Sequence, residues 1–216
     1  MLTIVLTRHG HTDRSEPDQY LGQTIDLPLS DQGRAEAGRL RARLEGVAFD
    51  RVISSPLLRA KETAHIVRPA DAIELDARLA EADYGEWEGR LVADIAAHDA
   101  TRRAAWEDDP ADVGPPGGER GLDVAARVRS LLDELIASAG SQPLVDRRYL
   151  LVGHSTLGRI LLAVALGVPV RDYRRRFRVD WLSLSVLRFT PGEGAMLLLC
   201  NDVSHVRGMH APLDEA

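Results

Sequence analysis

Two short apolar runs constrain this chain more than any other feature. They are Leu2-Thr3-Ile4-Val5-Leu6-Thr7 and Tyr149-Leu150-Leu151-Val152. Neither alternates polar with apolar residues. Such runs read as strands of a parallel sheet buried on both faces. Each ends in a group of polar residues, Arg8-His9-Gly10 after the first and Gly153-His154-Ser155 after the second. Open α/β sheets bind ligands at the carboxyl ends of their strands. An arginine fork suits phosphate, and a histidine nitrogen is nucleophilic near neutral pH. Side by side at a strand end, they suggest phosphoryl transfer through a phosphohistidine.

Strand and helix signals alternate along the rest of the chain. Ser30 reads as the N-cap of a helix over Asp31 to Glu45, with Gly46 past its end. Arg51 to Ser54 reads as a short strand, and Pro56 opens a helix running through Val67. Ile73 to Leu79 is expected to be extended, Leu91 to about Glu107 helical, and Pro110 to Gly118 a loop. Val124, Val128, Leu131, Leu132 and Leu135 mark one face of a long amphipathic helix. Leu157 to Leu166 follows as an apolar helix closed by Gly167. Leu182 to Phe189 and Ala195 to Leu199 form a last strand pair around Pro191-Gly192-Glu193-Gly194. This alternation implies α/β architecture: a single-domain, three-layer α/β/α sandwich around a mostly parallel central sheet.

Composition removes several function classes. The 216 residues suffice for one domain with a substantial core. The net charge of −6 argues against non-specific nucleic-acid binding. One cysteine, Cys200, allows no intrachain disulfide, so a cytoplasmic protein is expected. The apolar runs are too short for a signal peptide or a membrane span, so no membrane partner is expected.

Four segments carry the candidate chemistry. They are Arg8-His9-Gly10, Ser54-Ser55-Pro56-Leu57-Leu58-Arg59-Ala60, the stretch from Leu79 through Glu81 and Asp83 to Glu88-Gly89, and Gly153-His154-Ser155. With Pro28-Leu29-Ser30 and Gly33, Thr63, Gly117-Gly118-Glu119, Asn201-Asp202 and Ser204-His205, they resemble, in order, the histidine phosphatase superfamily, also called phosphoglycerate mutase-like. The resemblance spans nearly the whole chain. It implies one domain over 1–216, with 84–120 as a substrate-capping segment. It implies that His9 attacks phosphorus and that Arg8, Arg59 and His154 form a cationic cradle for the transferred group. Glu81 would act as acid and then base. By residue type alone, Asp83, Glu86 and Glu88 compete for that role, and the resemblance selects Glu81. Ser15, Gln23 and Thr24 are further candidates for phosphate or substrate binding. No cofactor and no metal are implied, and homodimer formation is left open.

The chain also departs from the family pattern. His11 follows Arg-His-Gly where Glu or Gln is common, and Ser15 stands near a frequent Asn. The loop Gly22 to Asp26 is one residue longer than is common, Arg120 replaces a common Ser, and Trp181 stands near another frequent Asn. The leading reading is a phosphomonoester hydrolase acting on a small phosphorylated metabolite. The alternative is a phosphoglycerate mutase, disfavoured because Gly89 to Gly117 leaves little room for a mutase-type capping insertion. A distant alternative is a metal-dependent hydrolase using His9-x-His11, which normally needs a (β/α)₈ barrel of about 250 residues. The run Arg174-Arg175-Arg176-Phe177-Arg178 reads as a solvated helix face, with attraction of anionic substrates as the lesser reading.

Overall fold

Strand β1 (Leu2–Arg8) lies at the centre of a six-stranded sheet, with Leu2 and Ile4 to Thr7 buried. The computed structural model describes residues 1–16, 18–140 and 146–207. β2 (Arg51–Ser54), β3 (Ile73–Leu75) and β4 (Arg147–Gly153) run parallel to β1. β5 (Leu184–Thr190) and β6 (Gly194–Asp202) add antiparallel strands, and the spatial order is β3-β2-β4-β1-β5-β6.

Helices cover both faces. α1 (Asp31–Arg43) and α2 (Leu58–Val67) pack on one side, where Leu40, Ala60 and Ala64 meet Val5, Leu150 and Val152. α5 (Gly121–Gly140) and α6 (Ser155–Leu166) pack on the other, where Val128, Leu131 and Leu161 meet Ile4, Leu6 and Leu151. Alternate residues of β1 and β4 thus enter separate cores, which is why neither strand shows polar alternation. α3 (Val92–His98) and α4 (Ala100–Asp108) lie beyond β3 in the chain. α7 (Tyr173–Arg176) follows α6, and α8 (Ser204–Arg207) follows β6.

Several element boundaries differ from expectation. The extended stretch after Ile73 stops at Leu75 and becomes a 3₁₀ turn at Ala77–Leu79, because the Asp76 side chain accepts from the Arg78 N–H. The single helix expected over Leu91–Glu107 is two helices, broken at Asp99, whose carboxylate accepts the Trp87 indole N–H at 2.9 Å. The α2 helix begins at Leu58 rather than Pro56. β6 reaches Asp202, three residues past Leu199.

Gly10 is not among the glycines with positive φ. Its role is close approach: a Cβ there would lie 2.9 Å from the Gly33 carbonyl oxygen. A Cβ on Gly33 would lie only 2.2 Å from the His11 carbonyl oxygen. The loop after His9 therefore rests directly on the first turn of α1, whose Ser30 cap accepts from the Gly33 N–H. Gly33→Ala is expected to lower stability by about 1–3 kcal/mol through backbone overpacking. Gly38→Ala, on the same helix with open space around it, is expected to raise stability by about 0.5–1 kcal/mol. Urea unfolding of the two variants checks this, and equal effects would contradict the close-approach account.

Candidate active site

Parallel pairing of β1 with β4 sets Arg8 opposite Gly153, so the residues that follow, His9 and His154, leave the sheet together. The His9 N–H donates to the Gly153 carbonyl at 2.9 Å, and the two imidazole centroids lie 5.1 Å apart. His9 is buried, and its Nδ1 lies 2.7 Å from the Gly10 carbonyl. A carbonyl only accepts, so Nδ1 carries the proton and Nε2 keeps its lone pair. Burial, and then the charges of Arg59 and Arg8, hold the His9 imidazole well below the usual histidine range. The ring is therefore neutral at neutral pH, with a free lone pair on Nε2.

Arginines surround it. Arg8 donates to the Val179 carbonyl at 3.1 Å and lies over the Trp181 ring at 4.1 Å. Burial pulls its guanidinium down to about 10, partly opposed by Glu81, so it stays charged at neutral pH. Arg59, on the first turn of α2, is fully buried. Three backbone carbonyls hold it: Leu21 at 3.1 Å, Gly22 at 2.8 Å and Ile25 at 3.3 Å. Its Nε has no partner among the described residues. His154 meets the Ser55 hydroxyl through Nε2 at 2.8 Å and leaves a buried Nδ1 without a partner among the described residues. Burial, then Arg59, holds His154 neutral as well. The charge of the expected cradle therefore rests on the two arginines, while His154 offers a hydrogen-bonding nitrogen. Negative charge brought alongside would favour its protonated form.

A cavity of about 330 Å³ opens on this group, and Arg8, His9, Ser15, Glu81 and Trp181 are among its walls. Arg59 and His154 are buried and are not among its walls. Of the four candidate carboxylates only Glu81 faces the cavity. Its oxygens accept from the N–H groups of Ala82 at 2.9 Å, Leu157 at 3.0 Å and Thr156 at 3.2 Å. Two of these donors belong to the first turn of α6, where a helix stabilises an anion. Asp83 caps the Gly85 N–H, and Glu86 lies beside Arg102. Glu88 binds the backbone of Gln23, Thr24 and Ile25.

Gln23 and Thr24 lie outside that cavity. The Gln23 amide donates to the Glu81 carbonyl at 2.8 Å and to Glu119 at 3.1 Å. The Thr24 hydroxyl donates to Glu88. Both fasten the loop that holds Arg59. Ser15 does reach the cavity, and its Oγ accepts from the Thr12 N–H at 2.9 Å. His9 and His11 do not form a joint ligand set: His11 bonds Glu36 through Nδ1 at 2.6 Å and stacks on Trp181 at 4.3 Å. Among the described residues no cluster of three metal-ligating side chains occurs.

Sequence reasoning missed two functional supports. Trp181 was noted only as a departure from the family pattern. It is sandwiched between Arg8 and His11, with a buried indole N–H lacking a partner among the described residues. The closing motif holds it there: the Asn201 Oδ1 accepts from the Asp180 N–H, and the Leu182 N–H donates to the Arg8 carbonyl. Arg127 went unremarked on the apolar face of α5. It grips Glu119 at 3.0 Å through two N–H groups and donates to the carbonyls of Arg78, Ala80 and Glu81. An arginine within a buried helix stripe was the available signal.

Comparison with known proteins agrees with this geometry. The family model for the histidine phosphatase superfamily (branch 1) matches residues 4–202. The glucosyl-3-phosphoglycerate phosphatase of Mycobacterium tuberculosis is 37% identical over 175 residues, covering 79% of this chain and 78% of that protein. The solved mycobacterial glucosyl-3-phosphoglycerate phosphatase superposes with a TM-score of 0.83 at 32% identity, covering 92% of this chain and 98% of that one. The alpha-ribazole phosphatase from Shigella flexneri superposes with a TM-score of 0.80 at 29% identity, covering 93% and 96%. With the family model matched over residues 4–202, and a buried histidine at the end of β1 beside a second from β4, this chain belongs to the histidine phosphatase superfamily.

Proposed function

We propose that this chain hydrolyses small phosphomonoesters through a phosphohistidine on His9. One observation carries the reading. His9 keeps Nδ1–H on the Gly10 carbonyl and offers a neutral Nε2 in a cavity shared with Arg8 and Glu81. In the first step Nε2 attacks phosphorus as the bond to the ester oxygen breaks, and Glu81 gives that oxygen a proton. In the second, water attacks the phosphoryl group and Glu81 takes the water's proton. Phosphate leaves, and His9 recovers its lone pair. Arg8, Arg59 and the His154 nitrogen face the negative charge spread over the equatorial oxygens.

The glucosyl-3-phosphoglycerate and alpha-ribazole phosphatases among the relatives support hydrolysis of small phosphorylated metabolites. The 84–120 segment acts as the cap, since Tyr84, Val92, Arg103 and Trp106 form part of the cavity wall. The lone free Cys200 supports a cytoplasmic setting. No described helix is long and apolar enough to cross a membrane.

His9→Ala is expected to abolish turnover together with an acid-labile, base-stable phosphoenzyme trapped by rapid quench. A phosphoenzyme that survives the substitution would move the nucleophile elsewhere. Glu81→Gln is expected to slow alkyl phosphates by about 100-fold or more and p-nitrophenyl phosphate far less, because a good leaving group needs no proton. Equal slowing would remove the acid role from Glu81.

Both histidines also predict a stability profile. Their native proton affinity lies well below that of the unfolded chain, so below pH 6.5 the unfolded state binds more protons. Their contribution is present above that pH and is lost as pH falls toward the native values, with a limiting slope of about 1.4 kcal/mol per pH unit for each imidazole. Urea midpoints between pH 7 and pH 5 should fall accordingly, less steeply in His154→Gln. A flat profile would contradict the neutral-histidine assignment.

A further inference from the structure

Beyond the phosphoryl end, the same cavity is walled by more positive charge than one phosphate needs. Arg159 of α6, Arg174 of α7 and Arg103 of α4 all line it. Only Arg103 has an acidic partner among the described residues, Glu107 at 2.8 Å, and it is tied to the Val92 carbonyl at 2.7 Å. Arg159 and Arg174 form no salt bridge among the described residues, and the Arg159 Nε is buried without a hydrogen-bond partner. Arg159 stands near enough to Arg8 to oppose its charge, after the larger effects of burial and Glu81.

Arg174 is the first residue of the arginine run, and the run divides here. Arg175, Arg176 and Arg178 are exposed, whereas Arg174 is half-buried and lies 4.0 Å over the Trp106 ring. Stacking of that kind fixes a guanidinium plane. Against these cations the cavity wall offers two carboxylates, Asp18 and Glu81. Glu81 already accepts from three backbone N–H groups. Partly buried guanidinium groups held without counter-charge repel one another, and an anion bound between them relieves that repulsion.

We propose that Arg159 and Arg174 form a second anion subsite, so that the preferred substrates are phosphomonoesters bearing a further anionic group, a carboxylate or a second phosphate, away from the reacting phosphorus. This inference rests on the phosphatase reading for the placement of the first phosphate at His9. Arg103 closes the far wall and adds attraction, while its bond to Glu107 leaves it the smaller share.

The test separates the two readings. Binding is measured by calorimetry in the His9→Ala protein, where no turnover intervenes, with two matched pairs of ligands. 3-Phosphoglycerate differs from glycerol 3-phosphate by a carboxylate, and fructose 1,6-bisphosphate differs from fructose 6-phosphate by a phosphate. The doubly anionic member of at least one pair should bind about tenfold or more tightly, as expected for charge-assisted hydrogen bonds. Arg159→Gln and Arg174→Gln, introduced separately, should each remove most of that gap. The Arg174 variant alters a half-exposed position and keeps the test open if Arg159→Gln fails to fold. No gap in either pair, or a gap that survives both substitutions, overturns the subsite. Failure to trap a phosphoenzyme in the wild-type chain would instead overturn the phosphatase reading and leave the binding comparison to stand on its own.

Discussion

The parallel contact between β1 and β4 is the constraint on which the site depends. Register places Arg8 against Gly153, and one hydrogen bond from His9 to Gly153 carries that register one residue past the sheet. Two histidines far apart in sequence then face each other at 5.1 Å. β2 pairs with the other side of β4 and brings Ser55 to His154 at the same edge. Moving β1 by one residue would send each face's side chains into the opposite core and separate the imidazoles, so the buried strand that stabilises the sheet also sets the chemistry.

Around that contact, charge is placed by backbone rather than by opposing side chains. Arg59 is held by three loop carbonyls and Glu81 by three N–H groups. Among the described residues Glu81 has no salt-bridge partner and Arg59 has only Asp26, at 4.0 Å, which keeps both able to respond to an incoming charge. The supporting links lie one residue further out. Glu88 fixes the loop around Arg59, while Arg127 and Glu119 fix the backbone of Glu81. Glu88 and Glu119 thus serve as braces, and of the four candidate carboxylates only Glu81 reaches the cavity.

Much of this was legible in the residues. β1 and β4 were readable because uninterrupted apolar runs have few uses other than a doubly covered strand. The strand ends then marked His9 and His154, and the ordered motifs added Arg59 and Glu81. Less legible were features decided by contacts between distant segments. Periodicity across Leu91–Glu107 suits one helix, and only the bond from Trp87 to Asp99 accompanies its break. Gln23 and Thr24 have the hydrogen-bonding capacity of phosphate ligands, but their nearest acceptors are the Glu81 carbonyl, Glu119 and Glu88. Trp181 reads as an apolar residue in a loop, and its place over Arg8 follows from β5, β6 and the Asn201 contact. Arg174 looks like the three other arginines of its run until the fold turns it inward onto Trp106.

The central claim is that phosphorus passes through a covalent bond to one imidazole. The stereochemical course at phosphorus tests this most directly, using an isotopically chiral phosphoryl ester and an alcohol acceptor in place of water. Two in-line displacements, one onto His9 and one off it, predict retention of configuration. Inversion would mean that the acceptor attacks the substrate directly, and the phosphohistidine account would be contradicted.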